Sequence, residues 1–307
     1  GGSSHFGSRR TLAEAGALPW ASTMAELHSE SARQSARIEG QQHLEELQQQ
    51  GLLGIRRPVR VVASPCIAGS KPAEGAKVVH LVRHGQGFHN LLAEVYRDLG
   101  KEVDGTGRSE GGPYQRPEVM APPLTAVGRR QAQALQPLTR KLASVGLVVV
   151  SPLCRATQTA LLAFQHLLEP HVQPKVPFLG HAAVVERGGV NVCDKRRPLS
   201  EVRADFAAVD WSEIQDEEDP GWSDAVREPG RAVSDRAHAF MLWLRSRPER
   251  EVAVVTHSAF LFYLLNSAVE CTEPSLAEWF LTGELRSMEI TFIEENAEPV
   301  TKRIRTD

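Results

Sequence analysis

Three short aliphatic runs, Val-Val-His-Leu-Val at 78–82, Leu-Val-Val-Val at 147–150 and Val-Ala-Val-Val at 252–255, constrain this chain more than any other feature. Short runs of this kind, rich in β-branched residues, read as strands buried on both faces. Each run gives way to polar residues: Arg83-His84-Gly85 after the first, Ser151-Pro152 and then Arg155 after the second, Thr256-His257 after the third. In an open α/β sheet the crevice beyond the carboxyl ends of the strands is where ligands bind. Two histidines and two arginines delivered there make a compact cationic pocket. Phosphate suits it, because guanidinium forks match its oxygens and helix N-termini add backbone donors.

Helical segments separate the strands. Residues 90–99, 125–142, 156–168, 230–244 and 260–268 read as helices. Residues 176–179 read as a further strand and 288–293 as a closing one. The Gly- and Pro-rich stretch 100–123 reads as a long loop, and 181–228 as irregular and polar, with an exposed acidic cluster at 216–219. This alternation predicts an α/β fold, a sheet covered by helices on both faces.

The beginning has a different texture. Residues 1–23 are rich in Ser, Gly and Ala and read as a disordered or appended leader, with a faint likeness to a transit peptide that would target an organelle. Residues 23–50 read as a polar, mostly exposed helix, loosely packed and ended by Gly51 and Gly54. The expected division is an extension over 1–74, a catalytic domain over 75–295 and a tail over 296–307. Every candidate lies from Arg83 onward, so residues 1 to about 70 are expected to be dispensable for chemistry. A net charge of -3 on 307 residues argues against a nucleic-acid partner. The apolar stretch 253–265 is broken by Thr256, His257 and Ser258, so no membrane span is expected. Cys66, Cys154, Cys193 and Cys271 form no Cys-x-x-Cys pair, which argues against structural zinc or a disulfide scaffold and for a cytoplasmic setting.

Leu81-Val82-Arg83-His84-Gly85, with Asn90 beyond it, resembles the signature of the histidine phosphatase superfamily. The segment 151–160, from Ser151-Pro152 through Arg155 to Ala160, resembles that family's second arginine motif, and Val254-Val255-Thr256-His257-Ser258 its second histidine motif. The resemblance covers roughly residues 77–293 and leaves out the first 75. It implies a three-layer α/β sandwich with a mostly parallel central sheet, the phosphoglycerate mutase-like fold. It also implies that His84 is the nucleophile that becomes phosphorylated, with Arg83, Arg155 and His257 holding the phosphoryl oxygens. Asn90 would add a neutral donor, and the Gly85 carbonyl would fix the tautomer of His84. An acidic residue between the second Arg and the second His would be the general acid. Glu186 matches best, with Asp194 and Glu201 behind it. No cofactor is implied, and no metal is called for where two Arg and two His already supply positive charge.

Other signals are weaker. His80 and His84 have the spacing of a metal pair on a helix, but they lie in a strand-like run. Residues 85–90 begin like a dinucleotide loop and end in Asn, and no Gly-x-Ser-x-Gly elbow is found. Lys195-Arg196-Arg197 reads as a solvated loop, Cys154 as packing under the site, and His89, His166, His171 and His181 as surface residues or supports. Gln86-Gly87 and Ser258-Ala259-Phe260 depart from the Glu-Ser and Gly-Asn-Ser of the family's mutases, so hydrolysis is favoured. Cys193-Asp194-Lys195-Arg196-Arg197 is similar to the phosphoglycerate mutase-like proteins of plants, fungi and algae. The expectation is a phosphomonoesterase of the histidine acid phosphatase type, acting on a small phosphorylated metabolite or a phosphoprotein. A mutase-type phosphotransferase and a catalytically weak phospho-ligand scaffold are the alternatives.

Overall fold

A computed structural model describes residues 28–66, 72–106, 111–142 and 144–294. The expected leader and tail lie outside these. In chain order the main elements are helix α1 (Glu30–Gln49), strands β1 (Val59–Pro65) and β2 (Lys77–Arg83), helices α2 (Phe88–Asp98), α3 (Ala126–Ala134) and α4 (Gln136–Thr139), and strand β3 (Leu147–Val150). Then come α5 (Cys154–Ala163), β4 (Phe178–Gly180), α6 (Leu199–Asp205), α7 (Gly230–Ser246), β5 (Glu251–Thr256), α8 (Ser258–Tyr263), β6 (Glu270–Cys271) and β7 (Leu285–Glu294).

Among the described residues these strands form one sheet in the order β4-β3-β5-β2-β7-β1-β6. All neighbours are parallel except β7, which runs antiparallel to both β2 and β1. The three aliphatic runs lie side by side in its middle, and their alternate residues sort to opposite faces. Val79, Leu81, Val149 and Val254 join the core under α7 and α8, whereas Val82, Val148, Val150 and Val255 join the core under α5 and α6. The sheet is therefore covered on both faces, as expected. Burying each such side chain contributes about 1.5–3 kcal/mol.

Strand β7, the closing strand in chain order, is inserted between β2 and β1. Three expectations change. The described part of the extension over 1–74 is not separate from the body that follows it, because β1 pairs along its whole length with β7, from Val59 opposite Glu294 to Pro65 opposite Met288. Nor is α1 loosely packed. Capped by Ser29, whose hydroxyl accepts from Ala32 N, it buries Ser35, Ala36, Glu39, His43, Glu46 and Leu47. That stripe has helical spacing but is mostly polar, so apolar periodicity could not show it. Glu46 takes two bonds from buried Arg187, at 2.6 and 3.0 Å. Lastly, Arg196 is not solvated: its guanidinium donates to the carbonyls of Arg197, Asp216, Glu217 and Glu218, tying down the backbone of the acidic cluster.

Candidate active site

Register brings the site together. Val255 pairs with both Val82 and Val150, so β2, β5 and β3 end level. Beyond those ends His84 N donates to Thr256 O and Ser151 N to Val255 O, each at 3.0 Å. His84, His257 and Ser151 thus share one layer, with the two imidazole centroids 5.0 Å apart.

The His84 ring has a defined orientation. Its Nδ1 lies 2.7 Å from Gly85 O. A carbonyl only accepts, so Nδ1 carries the hydrogen and Nε2 the lone pair. Arg155 Nε donates to that Nε2 at 3.2 Å, while its terminal nitrogens bond Cys193 O and Asp194 Oδ1 at 2.6 and 2.9 Å. Burial, together with the charges of Arg155 and Arg83, holds His84 well below the ordinary imidazole range, so the ring is neutral. The glycine beside it is required by packing. A Cβ on Gly85 would collide with the Gly128 carbonyl at the start of α3, and one on Gly128 with the Gln86 carbonyl.

Around His84, three buried nitrogens have no hydrogen-bond partner among the described residues: Arg83 Nε, His89 Nδ1 and His257 Nδ1. The other ends of two of these groups are fixed, with Arg83 Nη1 on Phe280 O at 2.6 Å and His257 Nε2 on Ser151 Oγ at 2.7 Å. Buried, unpaired nitrogens are costly unless something satisfies them.

Glu186 sits at the start of α8. One carboxylate oxygen accepts from Arg187 N and Phe260 N, both at 2.9 Å, and the other from Ala259 N at 3.2 Å. Burial and the nearby Asp194 raise its pKa above the usual carboxylate range, against the pull of those amides and of Arg155. Glu186, Arg83, His89, Asn90, Asp194 and Arg227 line one cavity. Asn90 Oδ1 accepts from Gly87 N at 3.0 Å, which directs its role as a capping group toward the turn that carries His84.

Of the sequence candidates, His84, Arg83, Arg155, His257, Gly85, Asn90 and Glu186 are brought together, while Glu201 is exposed on α6 and paired with Arg197. Asp194, expected as a substitute acid, bridges Arg155 and Arg227 at 2.9 and 3.0 Å. Two residues of the cavity, Arg227 and Glu39, are not singled out by the sequence, and His89 reads there as a surface residue or a support. His89 is buried 5.6 Å from His84, centroid to centroid. Arg227 stands in the irregular stretch with nothing to mark it. Glu39 of α1 is paired with Arg97 and Tyr114, each at 2.8 Å, and lines the same cavity. Only His89, one residue before Asn90, carried a usable signal. Among the described residues no group of three His, Cys, Asp or Glu is placed to hold a metal ion, and no helix is long and apolar enough to cross a membrane.

Four buried histidines, His43, His84, His89 and His257, have pKa values pushed below the ordinary value, chiefly by burial. Below about pH 6.5 the unfolded chain therefore binds more protons than the folded one, and stability falls as pH drops toward the folded values. His43, pushed down to about 4, alone accounts for roughly 3 kcal/mol by pH 4. Thermal melts from pH 7.5 to 4.5 should show a steadily falling Tm. A flat or rising Tm over that window contradicts the neutral cluster.

Residues 79–302 match the family profile of the histidine phosphatase superfamily (branch 1). The chain belongs to that superfamily. It is 32% identical over 250 residues to phosphoglycerate mutase-like protein 1 of Arabidopsis thaliana, covering 72% of this chain and 84% of the relative. A Schizosaccharomyces pombe protein named as a probable phosphatase is 25% identical over 184 residues, covering 59% and 74%. A solved mycobacterial glucosyl-3-phosphoglycerate phosphatase aligns at 17% identity with a TM-score of 0.41, over 72% of this chain and 99% of that one. In this histidine phosphatase superfamily member, α1 precedes the matched residues, yet it reaches the cavity through Glu39 and His43.

Proposed function

We propose that the protein is a phosphomonoester hydrolase that passes a phosphoryl group from its substrate to His84 and from there to water. The observation that carries this reading is the His84 ring itself: neutral, oriented by Gly85 O, met at Nε2 by Arg155, and set among Arg83, His89 and His257, each of which keeps an unpartnered nitrogen. In the first step the Nε2 lone pair forms a bond to phosphorus, the bond to the leaving oxygen breaks, and that oxygen takes a proton from Glu186. Arg83, Arg155 and His257 meet the charge on the equatorial oxygens. In the second step water attacks phosphorus, its proton goes to Glu186, and the N–P bond breaks.

Enclosure favours a small phosphorylated metabolite over a phosphoprotein, because α1 and the side chains of Tyr114 and Trp279 line the space beside Arg83. The Arabidopsis relatives carry a mutase-like name and the yeast relative a phosphatase name. Gln86, which stands where the mutases carry Glu, is engaged by Glu94 and Thr125, in keeping with hydrolysis.

Glu186→Gln tests the proton route. An aryl phosphate leaves as a stabilised phenoxide, whereas an alkyl phosphate needs nearly a full proton. Turnover of alkyl phosphates should fall roughly 10²-fold or more, and that of p-nitrophenyl phosphate far less. The acid form is the reactive one, so wild-type turnover of alkyl phosphates should decline as pH rises through the raised pKa of Glu186, and the variant should lack that limb. Equal losses on both substrates would assign Glu186 a structural part only.

A further inference from the structure

The cavity lined by Arg83 and Glu186 has a second polar feature that phosphate does not explain. His43, on α1 and 1% exposed, has Nδ1 2.8 Å from Glu39 O. Because that carbonyl accepts, Nδ1 carries the hydrogen, and Nε2 is a bare acceptor. Burial and the Arg187 charge push its pKa down to about 4, so the ring stays neutral near pH 7. Among the described residues no group donates to Nε2. The Trp279 ring lies beside it, 4.9 Å centroid to centroid, and the Trp279 Nε1–H is likewise buried without an acceptor there. Trp279 is held in place against Gly40 of α1, and the His43 ring is packed edge-on to Phe262 and Tyr263. Both residues line the cavity that holds Arg83, Glu186 and Asp194.

Neighbouring rings, one with a bare acceptor and the other with a bare donor, select for a group that can do both. A carboxylate or phosphate oxygen cannot donate to His43, and an ammonium cannot accept from Trp279. A hydroxyl can do both. We propose that His43 and Trp279 form a leaving-group subsite, in which a substrate hydroxyl donates to His43 Nε2 and accepts from Trp279 Nε1–H. The substrate class is then a hydroxylated alkyl phosphate, and α1 supplies part of its recognition. This rests on the hydrolase reading above and adds a determinant of specificity to it.

The test compares ratios within one protein, so a smaller folded fraction cancels. Alkyl phosphates bearing a hydroxyl on the second, third or fourth carbon are measured against their unsubstituted parents, with p-nitrophenyl phosphate reporting the chemistry. Wild type should favour one hydroxylated member over its parent by roughly ten-fold in kcat/KM, the worth of about one hydrogen bond. His43→Phe keeps a flat ring without the acceptor, and Trp279→Phe removes the donor. Each should bring the ratio close to one. His43→Gln, which restores an acceptor at similar reach, should retain most of it. A wild-type ratio near one across the series, as expected if the pair only holds a water, overturns the subsite. So does a ratio unchanged in both Phe variants. If wild type does not turn over p-nitrophenyl phosphate at all, the hydrolase reading fails first and the subsite with it.

Discussion

Replacing His84 with alanine should eliminate hydrolysis of p-nitrophenyl phosphate, a loss of roughly 10⁴-fold or more, together with all acid-labile phosphoryl labelling of the protein. The effect is large because His84 is the ring whose Nε2 lone pair is set by the Gly85 carbonyl and met by Arg155, an arrangement that neither His89 nor His257 shares. His257, the other ring in the layer, is bonded through Nε2 to Ser151, and Arg155 donates rather than attacks. The carboxylate of Glu186 is held by three backbone amides. The variant should fold, since the His84 side chain makes one hydrogen bond to its own neighbour Gly85 and accepts one from Arg155. Labelled phosphoprotein persisting in the alanine variant would move the nucleophile elsewhere.

The second large effect concerns the N-terminal segment. Its sequence suggests that residues 1 to about 70 can be removed without harm to the chemistry. In the structure a chain beginning at Pro72 would lose α1 and β1 together. The β7 backbone would lose its partner along the stretch from Met288 to Glu294, leaving an unpaired edge of the kind that promotes aggregation. Arg187 would lose Glu46, its buried partner, and the apolar surface that Leu47 of α1 covers would be opened to water, a loss of several kcal/mol. Against a total stability of about 5–15 kcal/mol, that leaves little. The shortened chain should be insoluble, or melt far below the full chain. A soluble protein with an undiminished Tm and full p-nitrophenyl phosphate turnover would refute this.

These two cases mark where the sequence is legible. The runs at 78–82, 147–150 and 252–255 are largely aliphatic, so burial on both faces is written into them, and the polar residues after them locate the crevice. Strand β1 is only half-buried and is interrupted by Arg60 and Ser64, so its pattern is weak. Helix α1 is invisible to apolar periodicity because its inward stripe is built mainly on Ser35, Glu39, His43 and Glu46. The two carboxylates of that stripe are satisfied by Arg97, Tyr114 and Arg187, partners distant in the chain. Arg196 misled for a similar reason: a cation whose donors meet backbone carbonyls looks, in sequence, like one that meets water. The proposed nucleophile is local information. The walls of the cavity are not.

The place of β7 in the sheet also bears on how the protein is made. Strand β1 leaves the ribosome well before β7, yet among the described strands only β7 joins β1 and its short neighbour β6 to the rest of the sheet. Until that last described strand emerges, β1 has no link to the body of the sheet, and α1 has only part of the body to rest on. Folding cannot proceed simply from the first residue made to the last. The aliphatic centre can assemble as its helices appear, but the N-terminal segment must wait through nearly the whole of synthesis, exposed and dependent on whatever shields nascent chains.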